Sequence, residues 1–489
     1  MSGNTIGKSA SHLMIAKILT TLIALVSSML LSRFRTVEEY GTFSELLITI
    51  SLTTSLFTLG LPNSSSYFLP LAETADDRRR FLSVYFTFTT LLCAAIGLLL
   101  VACVPLVEAY FKNEAIRSFA FFLAIFPWAS IMADGIGNIL VAYGKTVKLM
   151  GVNIAATMVS LLSVVLIRVF HLSFRDYILA FLFGNVLIAL WTYLIAAGLD
   201  GGLRFSLDGK LIRRILAYSV PIGLASLVGT LTIEIDKLMI GNMVDTEGLA
   251  YYTNAGKELP LTLVSTALTA VLLPQMARKL KEENTTEALS LWGEAIRMGY
   301  LIVCFFAAAC VAFAPQVMTF LYSEKYLPGV QVFRVYSLIL LLRCTYFGMV
   351  LSASGNSRKI LWSSILALVL NVVLNWLLFL LLGFIGPAIA SFVSICTVDL
   401  VQLCFTSRIL KTPLKELFPW RALGRITLIN AAWGFAAFVL VRLLGLGTSA
   451  RDVAICIAMG ALITLGYALV MKKDLLKAWE LLNREKYGV

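Results

Sequence analysis

The chain has 489 residues, 59% of them hydrophobic and 14% charged, with a formal net charge of +12. A soluble domain carries about 25% charged residues, so this composition excludes a water-soluble enzyme. Nucleic-acid binding would gather the basic surplus on one solvated face; here it falls in short breaks between apolar runs, where a membrane protein retains Lys and Arg on the cytoplasmic side.

In chain order there are fourteen apolar runs of about 20 residues, the length that crosses a ~30 Å hydrocarbon core as a helix. They cover 11–32, 43–69, 81–103, 117–142, 149–169, 177–198, 216–242, 250–275, 290–313, 328–352, 359–382, 385–407, 424–444 and 450–471. The first run is too long for the apolar stretch of a signal peptide and ends in Ser32-Arg33-Phe34-Arg35, so it reads as a retained span. Ahead of it, Gly3-Asn4-Thr5-Ile6-Gly7-Lys8-Ser9 lacks both the four-residue glycine spacing and the preceding strand of a phosphate loop. It reads as a lead-in to the first span, and no ATP site is expected.

With the N-terminus cytoplasmic, 25 of the 40 Lys and Arg residues lie in cytoplasmic segments and 8 in external loops. That asymmetry predicts both termini inside. The eight cysteines contain no CxxC pair, and the two histidines, His12 and His171, lie far apart. No metal site, cofactor or catalytic residue is expected.

The break at 200–215 divides the chain into a six-helix lobe (1–199) and a second six-helix lobe (216–410), followed by two further helices (411–471). Residues 472–489 read as an amphipathic tail on the inner membrane surface, with Leu475, Trp479 and Leu482 on one face. The lobes repeat. Leu61-Pro62 matches Leu273-Pro274, and Leu140, Ala142, Gly144 and Lys148 match Leu351, Ala353, Gly355 and Lys359. Both halves start inside, so the repeat is parallel.

Ionisable residues inside spans are costly and are by default candidates for a cavity site. Lys17 lies two turns into the first span, with Thr21 and Ser28 continuing a polar stripe. Glu45 is in the second, Asp134 in the fourth, and Glu234, Asp236 and Lys237 in the seventh. Lys257 and Glu258 belong to the eighth, Arg297 to the ninth and Arg343 to the tenth. Asp134, Glu234 and Asp236 are candidates for ion coupling. Asn371 and Asn375, at i and i+4, read as hydrogen-bonding glue between helices. The Leu-Pro register sets Glu45 opposite Lys257 as an ion pair closing the outer mouth, whereas matching Gly41 with Ala250 sets it opposite Asn254.

Several stretches resemble a known family: Ser32-Arg33-Phe34-Arg35-Thr36-Val37-Glu38-Glu39-Tyr40-Gly41, Tyr218-Ser219-Val220-Pro221, Ile235-Asp236-Lys237-Leu238-Met239-Ile240-Gly241 and Ala353-Ser354-Gly355-Asn356. The chain is similar to the Wzx-type polysaccharide flippases of the multidrug/oligosaccharidyl-lipid/polysaccharide superfamily. The resemblance implies an all-α polytopic membrane protein with two parallel six-helix lobes around a central cavity. It implies movement of an undecaprenyl-diphosphate-linked oligosaccharide repeat unit to the outer leaflet by alternating access, for O-antigen, capsule or exopolysaccharide synthesis. Arg33 matches the arginine of the family's first external loop, and Lys17, Lys237, Lys257 and Arg297 occupy spans suited to a cationic cavity. The expected setting is the bacterial inner membrane, with a polysaccharide polymerase and chain-length regulator as partners and no nucleic acid. The alternatives are a lipid II flippase or a cation-coupled drug exporter of the same superfamily. A membrane polymerase or glycosyltransferase would need a large external loop or soluble catalytic domain, and a channel would need a Gly-rich re-entrant filter; neither is seen in the sequence.

Overall fold

The computed structural model describes residues 3–257 and 259–472, so Glu258 and the expected tail from 473 onward lie outside the described residues. The first half forms α1 (Gly3–Phe34), α2 (Val37–Phe57), α3 (Leu61–Leu71), α4 (Ala75–Ala102), α5 (Val104–Phe111), α6 (Ala120–Ala142), α7 (Thr146–Phe170) and α8 (Phe174–Ala197). The second forms α9 (Gly209–Met243), α10 (Thr246–Ala255), α11 (Thr262–Lys281), α12 (Thr285–Ala312), α13 (Ala314–Tyr322), α14 (Val330–Leu342), α15 (Met349–Ala353), α16 (Ser357–Leu382) and α17 (Gly386–Leu410). A short turn, α18 (Leu414–Leu417), leads to the closing pair α19 (Trp420–Leu443) and α20 (Ala450–Val470).

Among the described residues there are 11 helical segments long and apolar enough to cross a membrane, or up to 12 if the bent pair α2–α3 is one span. One of them, Ser357–Leu410, contains both α16 and α17. The protein is therefore an all-α, multi-pass integral membrane protein. In such a medium every backbone N–H and C=O must be satisfied within the chain, which helices do.

Local sequence sets the helix limits. Thr36 accepts from the Glu39 N–H while Glu39 reaches back to the Thr36 N–H, a capping box that starts α2; Ser173 and Asp176 do the same for α8. Pro62, Pro105, Pro315 and Pro387 sit in first turns, where the missing N–H has no intrahelical partner to lose.

The internal repeat is explicit in the element order. α4 and α12 begin at residues 75 and 285, α5 and α13 at 104 and 314, and the 3-10 turns Glu114–Phe119 and Glu324–Gly329 at 114 and 324. α2 and α10 begin at 37 and 246. That spacing of 209 pairs Glu45 with Asn254, so the register that pairs it with Lys257 is corrected.

The chain forms two compact units, 1–250 and 251–489. The first is built around α6, which packs on α2, α3, α4, α7 and α8. Its core is aromatic, with Phe43, Phe122, Phe126, Tyr177 and Phe181 in mutual ring contact. α9 packs along α2, α3 and α4 of this unit. At the α2–α3 corner Gly60 has φ +69°, and a Cβ there would lie 2.7 Å from the Gly223 nitrogen of α9. Only glycine allows both the left-handed backbone and so close an approach.

The segment joining α8 to α9 is laced to the start of α4. Arg78 pairs with Asp200 at 3.0 Å, Arg79 donates to the Gly202 carbonyl, and Arg80 pairs with Asp208. Tyr143 also donates to Asp200. Burial pushes the Asp200 carboxyl up, but hydrogen bonds from Arg78 and Tyr143 and the charges of Arg78 and Lys145 outweigh it and hold it below the ordinary carboxylate value.

The second unit centres on α12, which packs on α11, α14 and α19. Trp292, Met276, Ile296, Met349 and Val350 are fully buried in one cluster. α16 and α17 form an antiparallel hairpin. Asn371 donates to Ser391 across it at 3.0 Å, and Asn375 donates to Asn371 at 3.2 Å. Asn371 is thus interhelical glue, as expected, while the bond of Asn375 runs back to Asn371 within α16.

Candidate functional site

In the first unit the candidate residues fall in three settings. Lys17 is exposed on α1, and its carbonyl accepts the hydroxyls of Thr20 and Thr21. Ser28 is instead buried against the Tyr40 hydroxyl at 3.0 Å. The polar stripe expected from Lys17 to Ser28 is thus split: Thr21 turns back on its own helix and Ser28 packs against α2. Arg33 is exposed in the last turn of α1, while Arg35 pairs with Glu39 at 3.9 Å and donates to the Leu172 carbonyl.

Glu45 is fully buried. Its Oε2 accepts from Asn113 Nδ2 at 2.6 Å and its Oε1 from the Thr246 hydroxyl at 2.7 Å. Asn113 also donates to Thr42 at 2.9 Å and, through Oδ1, accepts from the Ala115 N–H that opens the following 3-10 turn. Both carboxylate oxygens are therefore engaged by neutral donors of the same unit, and an ion pair with Lys257 is not what satisfies them. Asn113 and Thr246 escape a reading confined to apolar runs, because Asn113 lies between α5 and the 3-10 turn and Thr246 is the first residue of α10, ahead of the run at 250–275.

On α9, Lys237 and Glu234 pair at 2.9 Å one turn apart, both largely buried, and Asp236 is buried at 2% exposure. Asp134 is exposed on α6, one turn before Asn138, which donates to the Pro62 carbonyl of α3 at 2.9 Å.

In the second unit the eighth and tenth spans, expected as continuous helices over 250–275 and 328–352, are both interrupted. The eighth is broken between α10 and α11, with Gly256, Lys257 and Pro260 in the break. The tenth ends as a helix at Leu342 and resumes at Met349, so Arg343 is a helix cap rather than a mid-span residue. Non-helical backbone at membrane depth occurs where it is buried in protein or lines a cavity, and interrupted spans are the usual place for transporter sites.

The second break is held to α11 and α12. The Ser265 hydroxyl, in the first turn of α11, donates to the Arg343 carbonyl. Trp292 Nε1 on α12 donates to the Thr345 hydroxyl at 3.1 Å. Gly299 brings α12 against the same segment: a Cβ there would lie 2.8 Å from the Cys344 carbonyl oxygen. Asp399 on α17 sits in the field of the Arg343 guanidinium. Arg297 is two residues from Gly299 and so leaves α12 from another side of the helix. Asp399 was the missed residue with the clearest signal, a lone carboxylate in the apolar run 385–407.

The chain matches the polysaccharide biosynthesis protein family over residues 30–331. It belongs to that family. Among solved structures, the lipid II flippase MurJ in an inward closed conformation aligns with a TM-score of 0.76 at 17% identity, covering 94% of this chain and 99% of the other. An inward-facing multidrug resistance MATE family transporter of the MOP superfamily aligns with a TM-score of 0.63 at 19% identity, covering 80% and 95%. Identities this low establish the fold, and this chain has that of the MOP-superfamily transporters. A probable lipid II flippase MurJ from Rhizobium tropici is 25% identical over 128 residues, 26% of this chain. The chain spans about a quarter of that relative's length, 24%.

Proposed function

We propose that this family member is a flippase that carries an undecaprenyl-diphosphate-linked oligosaccharide repeat unit from the cytoplasmic to the outer leaflet by alternating access. The observation that carries the reading is the pair of interrupted spans in the second unit, with Lys257 in one break and Arg343 at the start of the other. A diphosphate and its sugars cannot enter hydrocarbon without losing hydration, and charge-assisted hydrogen bonds to Lys and Arg replace it. The amino-terminal end of α11, just after Lys257, adds backbone N–H groups and the positive end of a helix dipole.

In this reading Lys17, Arg33, Lys237, Lys257, Arg297 and Arg343 receive the anionic head group, and Asp236 and Glu258 order it and its water, while Glu45, fully buried on Asn113 and Thr246, holds the fold. Asp134, Glu234 and Asp236 are the acids through which a proton or sodium ion would couple. With the cell interior negative, outward movement of an anion gains about 2.3 kcal/mol per charge per 100 mV, so no nucleotide is required. The protein sits in a bacterial inner membrane with both termini cytoplasmic and delivers its cargo to a polymerase and chain-length regulator.

A second reading, a lipid II flippase, is favoured by the MurJ matches. One experiment separates the two: depletion of the protein in its host, followed by mass profiling of lipid-linked saccharides. Accumulated undecaprenyl-diphosphate repeat units with loss of surface polymer support the first reading, and accumulated lipid II supports the second. An unchanged profile overturns both.

A further inference from the structure

The second unit contains a cavity of about 420 Å3 that the flippase reading does not use. It is a cleft between α14 and α19, floored by α12 on which both helices pack. Its walls are almost wholly apolar, with Ala308 and Val311 below, Leu338 on one lip and Ala431 and Phe435 on the other. On α19 the lining runs from Thr427 to Phe438, about 16 Å of helix. Leu338 is 41% and Phe435 68% exposed, which places the opening against hydrocarbon rather than water.

One end of this groove is cationic. Arg334 of α14 and Arg442 of α19 both lie over the ring of Phe438, at 5.8 and 5.0 Å from its centroid, and each guanidinium feels the other's charge. Arg334 donates to the Val311 carbonyl at 3.4 Å and the Gln331 side chain at 3.3 Å, both neutral acceptors. Neither arginine takes part in an ion pair among the described residues. The other end is closed by polar groups that already have partners: Thr427 bonds with Tyr300, and Asn430 with the Ile426 carbonyl, Trp433 and Tyr467. The next cation along α12, Arg297, lies two turns beyond Cys304, where the lining ends.

Two guanidinium groups on one ring at the end of a narrow apolar groove match an anion carrying a hydrocarbon chain. Bidentate donors suit a phosphate, and the groove removes a chain from the crowded lipid phase. Cargo must pass from one membrane face to the other, whereas this groove fixes both of its cations at one end and is shut at the other. We propose that the groove holds a resident anionic glycerophospholipid, its phosphate between Arg334 and Arg442 and one acyl chain between α14 and α19. The lipid fills the cleft and joins the closing helix pair to the rest of the unit. The proposal needs only the membrane setting and stands whichever saccharide the protein carries.

Native mass spectrometry of the full chain, purified in detergent and supplied with defined lipids, tests it. Wild type is expected to retain phosphatidylglycerol at least tenfold better than phosphatidylcholine. The Arg334→Gln/Arg442→Gln double variant should lose that preference, and Ala431→Trp, which fills the groove from an exposed lip, should weaken phosphatidylglycerol binding tenfold with both arginines intact. If the double variant does not purify as a folded monomer, Ala431→Trp alone decides. Equal retention of the two lipids by wild type, or wild-type retention by the variants, overturns the site. Displacement of phosphatidylglycerol by equimolar undecaprenyl diphosphate overturns the resident lipid in favour of cargo.

Discussion

Replacing Gly223 by Ala and Gly229 by Ala on the same helix should have effects of opposite sign. At Gly223 the new Cβ would lie 2.3 Å from the Leu59 carbonyl carbon, 2.5 Å from the Gly60 nitrogen and 2.7 Å from the Leu59 Cα. Carbon atoms prefer about 3.5–4.0 Å, so α9 must retreat by about 1 Å from the α2–α3 corner, and all three neighbours are backbone that cannot rotate away. Overpacking of this kind costs about 1–3 kcal/mol. The upper end applies to a backbone clash, and the gain from replacing a helical glycine, about 1 kcal/mol, leaves a net loss of about 2 kcal/mol. At Gly229 nothing lies within 4 Å of the added carbon, so only the helix gain remains, about 1 kcal/mol. Thermal unfolding of the purified protein, followed as loss of the monomer on size exclusion, should show the Gly223→Ala midpoint below wild type and the Gly229→Ala midpoint at or above it. Midpoints that move together, or a Gly223 variant as stable as wild type, would refute the close-packed corner.

Glu45→Ala leaves the Asn113 amide and the Thr246 hydroxyl without their acceptor in a fully buried place, a loss of about 2–6 kcal/mol at 1–3 kcal/mol per orphaned group. Glu45→Gln keeps one acceptor, so the same unfolding assay should rank wild type, Gln, then Ala. Trp292→Ala removes a fully buried ring and should cost about 3–5 kcal/mol; Trp292→Phe, which loses mainly the bond to Thr345, should cost less. Because the Asp200 carboxyl is held below its unfolded value, its contribution is complete above about pH 4 and is lost as pH falls through the folded value. Asp200→Asn should therefore lower stability by a constant amount from neutral pH down to about 5, with the gap to wild type closing below 4; a gap that widens in acid contradicts the assignment.

The long helices and their repeat were legible because apolar runs with polar ends leave few alternatives in a membrane. The interruptions at 256–261 and 343–348 were not, because hydropathy reports composition rather than backbone hydrogen bonding. Leu259, Leu261, Phe347 and Met349 keep the average high straight across both breaks. Gly256, Pro260 and Gly348 carried the available signal, proline lacking the N–H and glycine the helix preference. The setting of Glu45 was half legible. Its burial cost announced a partnered carboxylate, but its partners Asn113, just after α5, and Thr246, the first residue of α10, lie outside the apolar runs, and their positions depend on the packing of α5 and α9. Register was the decisive unknown, since a shift of three residues exchanges Asn254 for Lys257, and only the observed helix starts fix it.

α9 opens the second repeat in sequence yet packs on the first unit, and the nature of that contact bears on how a flippase of this fold would move. The interface is held by small and polar groups: the Gly60 and Gly223 backbones, the Ser55 hydroxyl donating to Thr230 at 2.9 Å, and the stacked rings of Tyr67 and Tyr218 at 4.3 Å. Phe68 meets Tyr218 edge-on at 5.9 Å across it, a smaller aromatic contact than the group of rings that binds α2 to α6 and α8. Toward α5 the same helix is held by three more hydrogen bonds, from Tyr110 to the Leu238 carbonyl, from Lys112 to the Asn242 carbonyl and from Asn242 to the Tyr110 carbonyl, whereas the α2 contact, with the Ser55–Thr230 bond, is the part that separates and reforms at modest cost. The expectation is that α9 leaves α2 once in each transport cycle. A Ser55→Cys/Thr230→Cys variant would place two thiols where two hydroxyls now touch, within reach of a disulfide. Oxidation should then arrest delivery of lipid-linked saccharide in membrane vesicles, and reduction should restore it, with either single cysteine variant unaffected. Full transport by the oxidised double variant would mean that α9 travels with the first unit, and that the moving boundary lies elsewhere in the second repeat.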